Sequence, residues 1–526
     1  MKFQKLHNYL YTIKYLKTIQ IFYRLFYFTG SKIRKNNFPN NIKNAPSISE
    51  NIRFNTPAMF ENIYAKPDTF TFLNLTHTFK STIDWNYNKY GKLWTYNLNY
   101  FEFLNQKHMT KNTGLSLIHM FIRDITKIKD GLEPFPTSLR GINWIKFLAR
   151  YKIDDQTINN SLYNQYHHLL NNIEYHLLGN HLLENGFSLL FGAYFFQDER
   201  FYRKAKLILK NELDEQILYD GAHFELSPMY HQLMLFRVLD CINLIDNNPW
   251  KRDSLGELLK EKASAMLGWL NKMTFENGNI PLFNDSAFKI APDTKKLNEY
   301  AKRLNIRPKH IKLSDSGYRK IKFDRYEMAI DVGNIGPDYI PGHAHSDTFN
   351  FELYVDKKPC IVDTGISTYE VDNRRLLERS TVSHNTVEIE NYDQSEVWGG
   401  FRVANRAYIT YLKENSNKIE AIHNGYKKKF GVLHKRIFTF HQKRILITDK
   451  IISNRTFHAI ARLHFHPDTT IMKEGNHIVS ENLTIYIKNA DFKIETYLYA
   501  PEFNTLIEAT VVEIPFKNHL EVEILL

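Results

Sequence analysis

The spacing of apolar residues changes once along this chain, and that change limits the fold more than any motif does. From about Tyr96 to Arg303 apolar residues recur at helical spacing, as in Leu117, Phe121, Ile125 and Ile128, or Leu162, Tyr166, Leu169, Ile173 and Leu177. Such runs put one apolar stripe on each of several successive helices. From about Tyr318 the period is two: Phe349, Phe351, Leu353 and Val355 alternate with polar neighbours, and Lys357-Lys358-Pro359 turns into Cys360-Ile361-Val362. Strands are expected again at 386–390, 407–412, 436–440, 444–448, 460–464 and 484–487. Helices first and strands second predict an α+β multidomain chain. Helical hairpins of similar length suit an α/α toroid or solenoid, and the evenly spaced strands suit a large antiparallel β-sandwich. The expected boundaries are a basic amphipathic helix and connector over 1–58, a helical domain over 59–316 and a β-sandwich domain over 317–526.

At 526 residues, with 43% hydrophobic and 24% charged residues, the chain is globular in composition, which excludes a disordered or collagen-like protein. Sixty-nine Lys and Arg against 57 Asp and Glu give a formal charge of +12. A field of that sign favours acidic partners, whether nucleic acid, anionic lipid or an acidic polysaccharide. The two cysteines, Cys241 and Cys360, sit in apolar segments and read as buried thiols, so a disulfide framework and a multi-thiolate zinc site are excluded. Residues 1–28 are apolar and basic, but Lys5, Lys14, Lys17 and Arg24 interrupt both a secretory core and a membrane span. What is left is an amphipathic helix that packs on the body or rests on an anionic membrane surface.

Four segments concentrate polar groups. In Gly179-Asn180-His181-Leu182-Leu183-Glu184, His181 and Glu184 share a helix face, so the carboxylate can orient the imidazole beside Asn180; the same residues would also serve as a helix cap. Ser227-Pro228 is a helix start, with Ser as cap and Pro at the first position, placing Tyr230 and His231 in the first turn. A tyrosine there is expected to have its phenolate favoured, as a general acid/base needs, although a core tyrosine fits the position equally well. In Gly342-His343-Ala344-His345-Ser346-Asp347, an extended chain would turn 343, 345 and 347 to one side. With Asp363 and His384, His345 then offers a His/Asp/His set suited to a metal. Lastly, Tyr369, Arg374, Arg375 and Arg379 form a cluster able to clamp a carboxylate or sulfate, and Arg140 and Trp144 add a candidate subsite.

Taken together, these blocks resemble the heparinase II/III family of polysaccharide lyases, including alginate-lyase-like members found near bacterial surface-polysaccharide genes. Gly342-His343-Ala344-His345-Ser346-Asp347, Val362-Asp363-Thr364-Gly365, Arg379-Ser380-Thr381 and Ser383-His384-Asn385-Thr386-Val387 look like the C-terminal signature of that family, in order. Leu139-Arg140 with Asn143-Trp144, Asn180-His181 and Ser227-Pro228-Met229-Tyr230-His231 are similar to its helical half. The resemblance implies an incomplete (α/α) toroid followed by an antiparallel β-sandwich, and a uronic-acid-containing polysaccharide as substrate. No nucleic acid is expected. It implies that Asn180 and His181, with support from Glu184, neutralise the uronate carboxylate, that Tyr230 is the acid/base, and that His343 is a base or its assistant. His345, Asp363 and His384 match a structural zinc of some members, and Tyr369 and Arg379 resemble the family's substrate-site positions, with Arg140, Trp144 and His231 as further candidate substrate contacts. The periplasm or cell envelope is the implied location, and the missing ordinary signal leaves the cytoplasm open.

The chemistry suits those residue types. Abstracting the C5 proton of a uronate throws charge onto its carboxylate, and an amide and an imidazolium that bind the enolate-like intermediate more strongly than the ground state lower that barrier. Protonating the C4 oxygen then completes a β-elimination. Tyr230 could do both jobs in a syn elimination; in an anti elimination His343 is the base and Tyr230 the acid. A uronyl C5-epimerase would share the first step, and a non-catalytic polysaccharide-binding factor could share the scaffold. The His343-x-His345-x-Asp347 pattern also resembles the start of a metallohydrolase motif, but Thr348 stands where that motif has His.

Overall fold

The computed structural model describes residues 2–31, 43–46, 52–54 and 63–526. The connector expected before residue 58 lies largely outside them. The N-terminus forms two helices where one was expected, α1 (Lys2–Ile13) and α2 (Thr18–Ser31). The break has a local cause: the Lys17 N–H donates to Gln20 Oε1 (2.9 Å), so the Gln20 side chain starts a new helix. A small antiparallel sheet unforeseen in the sequence, β1 (Tyr64–Ala65), β2 (Thr69–Phe72) and β3 (Leu75–Thr78), lays Phe70 and Phe72 against Phe103 and Trp94.

Nine further helices form the helical half: α3 (Lys92–Tyr100), α4 (Lys111–Asp124), α5 (Pro134–Tyr151), α6 (Gln156–Asn171), α7 (Gly179–Phe196), α8 (Glu199–Gln216), α9 (Pro228–Asn247), α10 (Ser254–Met273) and α11 (Thr294–Arg303). Their starts are chemically marked. Thr110, Asp155, Asp198, Asp253 and Asp293 each accept a first-turn N–H, and Ser227 does so from Tyr230 at 3.2 Å ahead of Pro228. Burial separates inner from outer helices. α5 is buried continuously from Pro136 to Leu148, and along α7 every residue is buried except His181. α8 and α11 each show one apolar face and one charged face.

The β half contains three larger antiparallel sheets. The first is β4 (Tyr318–Lys322), β5 (Tyr326–Asp331), β6 (Phe351–Val355) and β7 (Lys358–Ile361), in that order. All five residues of β6 are buried, so the expected one-sided alternation there is replaced by a strand covered on both faces. The second sheet pairs strands 493–499, 507–516, 459–464 and 387–389, and the third has eight strands beginning at Ile409–Asn415. In the third, the strand Leu433–His441 alternates between buried and half-buried residues up to its exposed last residue, as the period of two requires. All three sheets supply one apolar core, with Met328 and Phe351, Val387 and Ala461, and Phe438 and Ile445 among its members. A helical N-terminal region is therefore joined to a sheet-rich C-terminal region.

Candidate active site

Between the two regions lies a cavity of about 820 Å³, lined by Asn180, His181, Tyr230, His343 and Tyr369 and by the aromatic rings of Tyr96, Tyr100, Phe135 and Phe401. Its size is ordinary for a ligand site. A second cavity of about 590 Å³ shares Tyr100, Phe135, Asn180, Tyr230 and Tyr369 with it, so the polar centre stands where two lobes of one groove meet.

The N-termini of α7 and α9 both face this centre, and the anion that the α7 end takes is the protein's own Glu225 carboxylate. Helix α7 has no side-chain cap of its own. Instead the Asn180 N–H donates to Glu225 Oε1 and its side-chain amide to Glu225 Oε2, both at 2.8 Å. Gly179 makes this approach possible: its φ is +58°, and a Cβ would stand 2.4 Å from Glu225 Oε1. His181, a third exposed, shares Nδ1 with Glu174 Oε1 at 3.1 Å and lies beside the Phe135 ring. Burial opposes its protonation, but the Glu174 charge and hydrogen bond outweigh it and raise the imidazole pKa. Glu184, expected to orient this imidazole, instead accepts from Arg237 Nε (3.2 Å) and lines the second lobe.

His343 is held from both sides. Its Nδ1 meets Asp285 Oδ2 at 2.9 Å, its ring stacks on Tyr230 with centroids 3.8 Å apart, and its Nε2 faces the Asn180 amide (3.3 Å) and Glu225 (3.4 Å). The same Asp285 takes His345 Nε2 at 2.9 Å and a two-pronged clamp from Arg375 at 2.5 and 2.6 Å. Burial works against the Asp285 charge, yet Arg375 and the two imidazoles hold it ionised, well below the usual carboxylate range. An ionised carboxylate on Nδ1 fixes that nitrogen as the proton-bearing one and leaves Nε2 as the basic one. Asp285 and Glu225 were not among the expected site residues. Both are single acids in loops, and only contacts between regions distant in sequence give them a role.

Tyr230 sits in the first turn of α9 as expected, and the Tyr369 hydroxyl donates to its own at 3.4 Å. The expected ease of ionisation is corrected: burial pushes the Tyr230 phenol up, so it is held protonated. Residues 342–348 form a loop in place of the expected extended run, and His343 and His345 meet through Asp285.

Several expected substrate contacts sit elsewhere. Arg140 is fully buried and spends its donors on Gln165, the carbonyls of Asn99 and Gly131, and Thr137. Trp144 packs in the core against Phe101 and Phe121. His231 accepts from the His223 N–H and meets the Met266 carbonyl, and burial lowers its pKa to about 3, leaving it a neutral structural link. The arginine cluster is likewise used internally: Arg374 on Glu378, Arg375 on Asp285, and Arg379 on the carbonyls of Ala344, Gly399, Gly400 and Arg402. Arg379 thereby braces the loop that carries His343 without reaching the cavity.

The expected zinc donors are buried close together, with the His345 and His384 rings 5.3 Å apart. Asp363 accepts from His384 Nδ1 (2.8 Å), the Asn350 amide and the Gly365 N–H. Among the described residues, His345 Nδ1, His384 Nε2 and Asp347 Oδ2 are buried without a hydrogen-bond partner. Two imidazoles, each backed by a carboxylate and each with its other nitrogen open, are donors of the right chemistry for zinc. Among the same residues, no three such side chains are arranged as a metal-holding group.

Residues 140–313 match the Heparinase II/III N-terminus family and residues 305–523 the family described as Heparinase II/III-like, C-terminal. A heparin-sulfate lyase of Bacteroides stercoris is 26% identical over 256 residues, covering 42% of this chain and 37% of that protein. One of Pedobacter heparinus is 23% identical over 409 residues, covering 68% and 59%. The chain thus spans less than two thirds of either relative's length. Among solved structures, a heparinase III aligns with a TM-score of 0.67 at 15% identity, covering 96% of this chain and 91% of that one. The heparan sulfate lyase HepC from Pedobacter heparinus aligns at 0.54 and 17%, covering 95% and 87%. At these identities the likeness is one of fold. Family matches that run from residue 140 to residue 523 place this chain in the heparinase II/III-like family of polysaccharide lyases.

Proposed function

We propose that the protein cleaves a uronic-acid-containing polysaccharide by β-elimination, in the groove between an incomplete α/α toroid and a β-sandwich. The uronate carboxylate docks beside the start of α7, against the His181 imidazolium and the Asn180 side chain, whose amide also donates to Glu225. There the charge that develops on C5 deprotonation is met by the full positive charge of the imidazolium and by the side-chain amide. His343 Nε2 takes the C5 proton, with Asp285 fixing the tautomer and stabilising the imidazolium that forms. Tyr230, already protonated, gives its proton to the C4 oxygen as the glycosidic bond breaks, leaving an unsaturated uronate. This division of labour favours His343 as base and Tyr230 as acid over Tyr230 in both roles, because the buried phenol resists ionisation. The single observation that carries the reading is the convergence of Asn180, His181, Tyr230 and His343 on one cavity.

A structural zinc belongs to the same proposal. His345 Nδ1 and His384 Nε2 would hold it. Asp363, the carboxylate expected from the sequence, is engaged by His384, while Asp347 has an oxygen open. The ion would tie the His343 loop to the sheet at residues 363 and 384, and would take no part in the proton transfers. A panel of acidic glycans, sulfated and unsulfated, tests the reaction: conjugated unsaturated product supports it. Solvent deuterium entering C5 without chain cleavage would instead support an epimerase.

A further inference from the structure

We propose that α1 and α2 dock this protein on an anionic lipid surface, a role independent of the reaction assigned above. The positive charge of the chain is not spread evenly. Residues 1–49 contain nine Lys and Arg and no Asp or Glu, so they account for nine of the formal +12 and leave +3 for the remaining 477 residues. Five of the nine, Lys2, Lys5, Lys14, Lys17 and Arg24, fall within the span of the helix pair, which itself holds no acid.

One side of the helix pair is anchored to both regions of the protein. From α2, the Gln20 amide donates to the carbonyls of Leu177 (3.2 Å) and Tyr339 (3.3 Å). From α1, Thr12 accepts from Trp398 Nε1 (3.1 Å) and His7 meets Glu396 (3.2 Å). Thr12, Leu16, Gln20 and Arg24 line the active-site cavity, so these helices form part of its wall. The opposite side is apolar and open. Leu6, Leu10 and Ile13 follow i, i+4, i+7 spacing on α1, Phe22 and Leu25 follow i, i+3 on α2, and each is at least half exposed. Lys14, in the turn after α1, is exposed, whereas Arg24 donates to the His176 carbonyl (3.3 Å) on the anchored side.

An apolar stripe on a strongly basic, acid-free helix pair matches an interfacial helix, whose apolar side enters the acyl boundary while its cations meet acidic headgroups. No described helix is long and apolar enough to cross a membrane, which fits helices lying in the plane of the surface. A second copy of the chain would bring a second basic, acid-free helix pair to the same contact, which disfavours it as the occupant. Docked in this way, the cavity wall lies at the lipid surface, and the groove meets polysaccharide there.

Sedimentation of the full chain with vesicles tests the proposal. The protein should pellet with phosphatidylcholine vesicles containing 30% phosphatidylglycerol. The bound fraction should fall about tenfold on pure phosphatidylcholine, and again in 0.5 M salt. The triple variant Leu10→Ser, Phe22→Ser, Leu25→Ser should lose binding about tenfold while its far-ultraviolet dichroism is unchanged. Equal pelleting with and without vesicles, or undiminished binding by the triple variant, would overturn the proposal. So would light scattering that shows a dimer converted to monomer by the triple variant with no vesicle binding. The comparison of lipid compositions needs only the unaltered protein, so the test stands even if the variant misfolds.

Discussion

Replacing Asp285 with Asn separates the two jobs given to this carboxylate. Its oxygens take His343 Nδ1, His345 Nε2 and both arms of Arg375, and both Asp285 and Arg375 are fully buried. Asn keeps the shape but removes the charge, which leaves the Arg375 guanidinium uncompensated in the interior. Breaking a buried pair in this way costs about 3–5 kcal/mol, visible as a lower denaturant midpoint. The catalytic effect is separate. Without a carboxylate on Nδ1, the His343 tautomer is no longer fixed and the imidazolium loses its counter-charge, so kcat should fall by roughly 10²–10⁴-fold. The double variant Asp285→Asn, Arg375→Met removes the stranded charge and should recover much of the stability while leaving kcat low. Denaturant titration and initial rates on a uronate polymer read both effects. A single variant with kcat within threefold of the parent would refute the assignment of His343 as an Asp285-oriented base, and recovery of rate in the double variant would show that the loss was structural.

Other outcomes follow from the same geometry. His181 is needed as an imidazolium, and its pKa is raised through Glu174; activity should therefore be lost as pH rises through that raised value. Glu174→Gln should move this alkaline limb of the rate profile to lower pH without moving an acid limb set by the base. Gly179→Ala forces a left-handed Ala and a clash with Glu225, costing about 1–2 kcal/mol from the backbone alone, and should lower kcat by displacing Asn180; thermal melts and rates check both. Protein purified without chelator should contain about one zinc per chain, an expectation resting on the open His345 and His384 nitrogens, and His384→Ala should abolish it; metal-free, fully folded protein would remove the zinc from the account.

Much of the architecture could be read from side-chain chemistry local in sequence. Ser227-Pro228 announced the start of α9 because capping needs only neighbouring residues, and that alone placed Tyr230 in the first turn. The change of period near Tyr318 separated helices from strands for the same reason. Tertiary choices were less legible. The polar-aromatic run at Arg140 and Trp144 read as a subsite, but α5 is buried on all sides, and there an arginine is retained by satisfying backbone carbonyls. The arginines at 374, 375 and 379 read as a clamp for a ligand's acid, whereas their acids and carbonyls belong to the protein itself. Asp285 carried no periodic or motif signal, since its importance comes from the 284–286 loop meeting the 343–345 loop through the Asp285 N–H to the His343 carbonyl and the His345 N–H to Asn284. The protonation of Tyr230 is not legible locally, because a helix N-terminus is visible in sequence and burial is not.

Ultraviolet absorbance of conjugated unsaturated uronate, followed during incubation with an acidic polysaccharide panel for the parent protein and for Tyr230→Phe, reads the elimination itself. Absorbance that grows with the parent on at least one uronate polymer, and is lost by at least about a hundredfold without the phenolic proton donor, is the predicted result. Full activity in Tyr230→Phe, or chain cleavage that yields only saturated ends, would contradict it.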